Sequence, residues 1–155
     1  MAYTDSLNDF AGTLSAGRLL GLDLGSKTLG LALSDTDATI ATPFETYPRG
    51  KFGHDADVLC DLIDLHEIKG LVCGLPLNMD ASSGTRVQAT RAYVRNLSHH
   101  NRFALPILLW DERLSSVAVE RTLLEADVSR RRRAQVIDKM AAAFILQGAL
   151  DALNK

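Results

Sequence analysis

Arg18-Leu19-Leu20-Gly21-Leu22-Asp23-Leu24-Gly25-Ser26-Lys27-Thr28-Leu29-Gly30-Leu31-Ala32-Leu33-Ser34 organises the rest of the chain. Arg18 to Leu24 is a short apolar run and reads as a strand. Gly25-Ser26-Lys27-Thr28 is turn material, and the apolar Leu29 to Ser34 reads as its hairpin partner. Thr39 to Tyr47 supplies a third strand, with Pro43 placing it at an edge. The first strand ends on an acid, and an acid at the end of a buried run is costly without a metal, a cation or hydrogen-bond donors.

Beyond this hairpin the pattern changes to alternating helices and strands. His54 to Glu67 has helical period, with Val58, Leu62 and Leu65 on one face, Leu59 and Ile63 beside them, and Asp57, Asp61 and Asp64 on the other. Ile68 to Gly74 reads as a buried strand closed by Leu75-Pro76. Thr85 to His100 is a second helix with Val87, Thr90, Val94 and Leu97 as its apolar stripe. Pro106 to Trp110 is a strand that runs into Asp111-Glu112-Arg113. Ser115 to Ala126 and Ala134 to Leu153 are helices, separated by the basic run Arg130 to Arg133. Hairpins followed by β-α-β units predict an α/β protein with a mixed sheet and helices on its faces.

The 155 residues fit one domain, expected over 18–155, behind a loose N-terminal extension over 1–17. The extension lacks the basic start and apolar core of a signal peptide, and no apolar run is long enough to span a bilayer. The cytoplasm is the default expectation. Cys60 and Cys73 have no metal-type spacing, and the four histidines form no zinc pattern. The net charge is -2, but positive charge collects in the second half. Ala81 to Trp110 carries four arginines and no acid, whereas Asp55 to Glu67 carries five acids and no Lys or Arg.

Three acid positions stand out. Asp23 has Gly21 and Gly25 beside it at two-residue spacing, which leaves room for a ligand. Asp111 and Glu112 end an apolar strand. Adjacent strand residues face opposite ways, so only one of the two aims at Asp23, and the other is left to contact Arg113 or a backbone amide. Asp138 aligns with Ala142, Ile145 and Ala149 on a face expected to pack on the sheet. Ligand sites of open α/β sheets form at the carboxyl ends of strands. Carboxylates from two strands and a helix suit Mg²⁺ or Mn²⁺ rather than zinc. A metal set of Asp23, Glu112 and Asp138, with Asp111 as the rival of Glu112, can serve phosphodiester hydrolysis. Lys27, Asn78, Arg86, Arg113, Arg130 and Arg131 are candidate contacts to substrate phosphates. The plainer readings stand beside these: a turn-forming Asp23, a solvated strand end at Asp111-Glu112, an early-helix acid at Asp138 and a solvated charged loop at Arg130 to Arg133.

The ordered set Gly21-Leu22-Asp23-Leu24-Gly25-Ser26-Lys27, Gly30, Ser34-Asp35, Gly74-Leu75-Pro76-Leu77-Asn78, Asp111-Glu112-Arg113 and Asp138 with Ala141-Ala142 and Ile145-Leu146 resembles the YqgF family, also called RuvX. The resemblance covers about residues 18–153. It implies an RNase H-like fold with a five-stranded mixed sheet and helices on both faces. It also implies a metal site from Asp23, one acid of Asp111-Glu112, and Asp138. Family members are described as Holliday junction resolvases and as nucleases that mature the 5′ end of pre-16S ribosomal RNA. Lys27-Thr28 and Ser115-Ser116 depart from the family's usual Lys-Arg and paired threonines. These changes touch substrate contacts rather than the metal ligands.

Three functions compete at this stage. The first is a metal-dependent endonuclease acting on precursor rRNA or on branched DNA. Symmetric cleavage of a four-way junction needs two active sites and hence a homodimer. The second is an ATP-binding protein of the actin, Hsp70 and sugar-kinase group, which needs about twice this chain length. The third is a non-catalytic nucleic-acid binding module. Three acids beside phosphates repel unless metal intervenes, which argues against it.

Overall fold

A computed structural model describes residues 3–76, 84–114 and 130–155, with side chains in the last segment from Lys139 onward. In chain order the elements are β1 (Tyr3–Thr4), α1 (Leu7–Thr13), β2 (Arg18–Leu24), β3 (Thr28–Ser34), β4 (Ala41–Pro48), α2 (Phe52–His66), β5 (Ile68–Leu75), α3 (Thr85–Ser98), β6 (Ile107–Asp111), a 3₁₀ turn (Glu112–Leu114) and α4 (Arg130–Leu153). The strands form one mixed sheet in the order β1-β6-β5-β2-β3-β4. β2, β5, β6 and β1 run parallel, and β3 lies antiparallel between β2 and β4. Parallel neighbours place the carboxyl ends of β2, β5 and β6 along one edge, so residues far apart in sequence meet there.

Alternation along β2 builds both halves of the core. Leu20, Leu22 and Leu24 pack with Leu59 of α2 and with Val87, Val94 and Leu97 of α3. Leu19 faces the other way and joins Val72, Leu108, Phe10 of α1 and Ala142, Ile145 and Ala149 of α4. Leu19, Leu20 and Leu22 are fully buried, each contributing roughly 1.5–3 kcal/mol. β4 pairs only with β3 and carries Pro43 on the outer edge, as its sequence predicts. Among the described residues no helix is long and apolar enough to cross a membrane.

The structure corrects three expectations. The sheet has six strands rather than five, because Tyr3–Thr4 pairs parallel with Ile107 and Leu108 at the β6 edge. Residues 1–17 are therefore not simply a loose extension. Ser6 caps α1 by accepting from the Asp9 amide at 3.2 Å, and Phe10 is fully buried against Gly70. The basic run Arg130 to Arg133 lies in the first turn of α4 rather than in a loop. Arginine is a good helix former, so the apolar helix extends upstream through it. The helix expected over Ser115 to Ala126 lies outside the described residues.

Candidate active site

Asp23 lies at the carboxyl end of β2, and only 5% of it is exposed. Leu22 and Leu24 point to the α2–α3 side, so alternation puts Asp23 on the α4 side. The same rule separates Asp111 from Glu112. Leu108 and Trp110 face α4 whereas Ile107 and Leu109 face α2 and α3, which leaves Asp111 on the latter side. Glu112 begins the 3₁₀ turn and returns to the α4 side. A Cβ built on Gly74 of β5 would meet Ile145 of α4 at 2.4 Å and the Glu112 Cγ at 3.2 Å. Gly74 thus admits the Ile145 side chain of α4 and lets Glu112 lie against β5 on the α4 face.

Asp111 is occupied by Arg113. The Arg113 Nε donates to both carboxylate oxygens at 3.0 and 3.1 Å, its NH2 donates at 2.6 Å, and its backbone amide donates at 3.0 Å. These bonds, led by the guanidinium, hold the Asp111 carboxyl below the usual range. Asp111 shapes the turn with Arg113, whereas Glu112 lies on the same side of the sheet as Asp23.

Cys73 reports on both carboxylates. Its thiol is pushed well up, first by burial and then by the negative charges of Asp23 and Glu112. Asp23 on β2 and Glu112 after β6 thus flank β5 although 89 positions separate them in sequence. Among the described residues no group of three His, Cys, Asp or Glu is arranged to hold a metal. The backbone sets Asp138 on α4 one turn before the fully buried Ala142, and its side chain lies outside the described residues.

The expected substrate contacts divide. Lys27 and Arg86 are exposed and line one cleft at the mouth of β2. Arg113 is turned onto Asp111. Asn78 and the side chains of Arg130 and Arg131 lie outside the described residues. Gly21 does not make room for a ligand: a Cβ there would strike Leu146 at 2.8 Å and the Ala142 carbonyl at 2.9 Å, so it admits α4. Gly25 closes the β2–β3 turn, donating to the Thr28 carbonyl at 2.9 Å. Arg49 also lines the cleft, and the sequence reading missed it. Its signal was a cation directly after an edge strand, at Pro48-Arg49-Gly50.

A mixed sheet with acids gathered at the carboxyl ends of its parallel strands defines an RNase H-like nuclease fold. The family model for RuvX, described as Holliday junction resolvase, matches residues 17–152, and the chain belongs to that family. It is 56% identical over 97% of its length to a protein of Jannaschia sp. named "Putative pre-16S rRNA nuclease", covering 95% of that protein. A protein of Paramagnetospirillum magneticum with the same name is 60% identical over 86% of this chain and 85% of its own. Thermus thermophilus RuvC, solved with a Holliday junction substrate, shares the fold at 12% identity, with a TM-score of 0.53 over 87% of this chain and 94% of that one. The yeast mitochondrial Holliday junction resolvase Ydc2 does so at 13% identity, with a TM-score of 0.54 over 96% of this chain and 84% of that one.

Proposed function

We propose that this chain is a divalent-metal-dependent endonuclease that acts on precursor ribosomal RNA at the 5′ end of 16S. The observation that carries this reading is the placement of buried Asp23 and of Glu112 on the same α4 side of the strand ends, with Gly74 of β5 beside Glu112. The names of relatives at 56–60% identity support the substrate.

Two carboxylates on the same side of neighbouring strand ends repel each other, and a hard cation with oxygen ligands relieves that cost. Asp23 and Glu112 fit Mg²⁺ or Mn²⁺, and Asp138 on α4 is the proposed third ligand. When bound, the cation supplies Lewis acidity and charge neutralisation at the scissile phosphate. The chain's own residues set the stage. Asp23 is fixed by the core strand beneath it. Asp111 and Arg113 lock the turn that presents Glu112. Gly74 admits Ile145 and leaves Glu112 its place beside β5. Lys27 and Arg86 hold flanking phosphates, with Asn78, Arg130, Arg131 and Arg113 as the remaining proposed contacts. An rRNA substrate places the work in the cytoplasm.

The family's description favours a second reading, resolution of branched DNA, which requires a homodimer. The two are separated by offering a labelled pre-16S 5′ leader and a mobile four-way DNA junction with Mg²⁺, Mn²⁺ or EDTA. Metal-dependent cutting of the leader is expected. Cutting of the junction alone would move the function to recombination. Tight binding with no cutting of either would leave a binding module.

A further inference from the structure

Lys27, Arg49 and Arg86 converge on a cleft of about 900 Å³ between the β2–β3 turn and the start of α3. Among the described residues no acid lines this cleft, and none of the three cations forms an ion pair. Three cations around one space repel, and an anion removes that cost. Thr85 and the first turn of the 14-residue α3 also line it, and Gly84 gives that helix no side-chain cap.

Arg49 is exposed but held in position by its bonds. Its amide donates to the Lys27 carbonyl at 2.8 Å, and its guanidinium donates to the Gly25 carbonyl at 2.7 Å. The guanidinium also lies 5.4 Å from the centre of the Tyr93 ring. The next amide, of Gly50, donates to both oxygens of buried Asp55 at 3.1 Å. The strap from β4 to α2 is thus tied to the turn that follows Asp23. Preorganising a guanidinium in this way lowers the entropy lost when it takes an anion.

We infer that this cleft binds an internal phosphodiester of the substrate strand, with Arg49 as its anchor and Lys27, Arg86 and the α3 N-terminus as partners. The inference rests on the nuclease reading and adds a direction to it. Leu24 lines the cleft on the α3 side, whereas the preceding Asp23 faces α4. The strand therefore crosses the end of β2, one phosphate at the carboxylates and another in the cleft.

The test is binding of a labelled single-stranded RNA in EDTA across a salt series. Arg49→Ala should lower the slope of log K against log salt by about 0.7, and weaken binding about fivefold at 0.1 M salt. Arg86→Ala, on an exposed helix position, should lose a similar slope, and Arg49→Lys should keep most of it. Wild-type slopes in both alanine variants would overturn the inference. An Arg49 contribution seen only with 5′-phosphorylated RNA would also overturn it, by assigning the cleft to a terminal phosphate. Asp23→Asn should keep the Arg49 contribution while losing cleavage. Cleavage that survives Asp23→Asn, with the Arg49 slope intact, would overturn the catalytic reading alone.

Discussion

Glycine stands at two positions under α4 for different reasons, and the difference can be measured. At Gly21 an added methyl meets the Ala142 carbonyl and the Leu146 Cβ, neither of which can swing aside. At Gly74 it meets the end of the Ile145 side chain, which can rotate, and the Glu112 Cγ. Gly21→Ala should therefore cost about 1–3 kcal/mol in urea unfolding. Gly74→Ala should cost less stability but displace Glu112 and lower the cleavage rate about tenfold. Equal stability losses with unchanged cleavage would contradict this assignment. The burial of Asp23 was legible in the sequence, because it stands within an apolar run. The purpose of Gly21 was not, since nothing local reveals which helix will cross above it. The facing of Asp111 and Glu112 was half legible: strand alternation separates the two, and only the bonds from Arg113 show that Asp111 is the one that turns to it.

At the scale of elements, α1 was misread although its signals were present. Ser6 and Asp9 stand at capping positions, and Leu7, Phe10 and Leu14 repeat at helical spacing. A single large anchor in a short polar stretch resembles a loose terminus until Gly70 is seen to leave the space that Phe10 fills. Phe10→Ala should destabilise the protein by about 3–5 kcal/mol in urea unfolding, and a loss below about 1 kcal/mol would return the segment to a loose extension. On α2 the buried face is Ala56, Leu59, Cys60 and Leu62, with Val58 and Ile63 packed beside it, and of the apolar face read from sequence only Leu65, 74% exposed, is turned to solvent. The β3–β4 connection holds an acid of a different kind. Asp35 accepts from the Ile40 amide and from the amide and hydroxyl of Thr39, which lowers its pKa from 3.8 to about 2. The folded value lies below the unfolded one, so its stabilising contribution is complete above about pH 4 and is lost as pH falls through 2. A carboxyl NMR titration should find Asp35 at about 2, and a midpoint near 4 would break that account.

For the whole molecule, the hairpin followed by β-α-β units and the family's ordered motifs made the topology legible. The parallel run β2, β5 and β6 follows from them, and with it the edge where acids distant in sequence meet. The sixth strand is only two residues long, too short to leave a period in the sequence. The cleft of Lys27, Arg49 and Arg86 was partly hidden because it joins three segments across the fold, and Arg49 carries no motif. These features together describe a sheet whose strand ends offer carboxylates on one side and cations on the other. The most direct test is the rate of cleavage of a pre-16S 5′ leader in Mg²⁺ by wild type and by Asp23→Asn. A fall of about a thousandfold in the variant, equivalent to about 4 kcal/mol of barrier, is the predicted result. Equal rates in the two proteins, or no cutting of the leader by wild type, would contradict it.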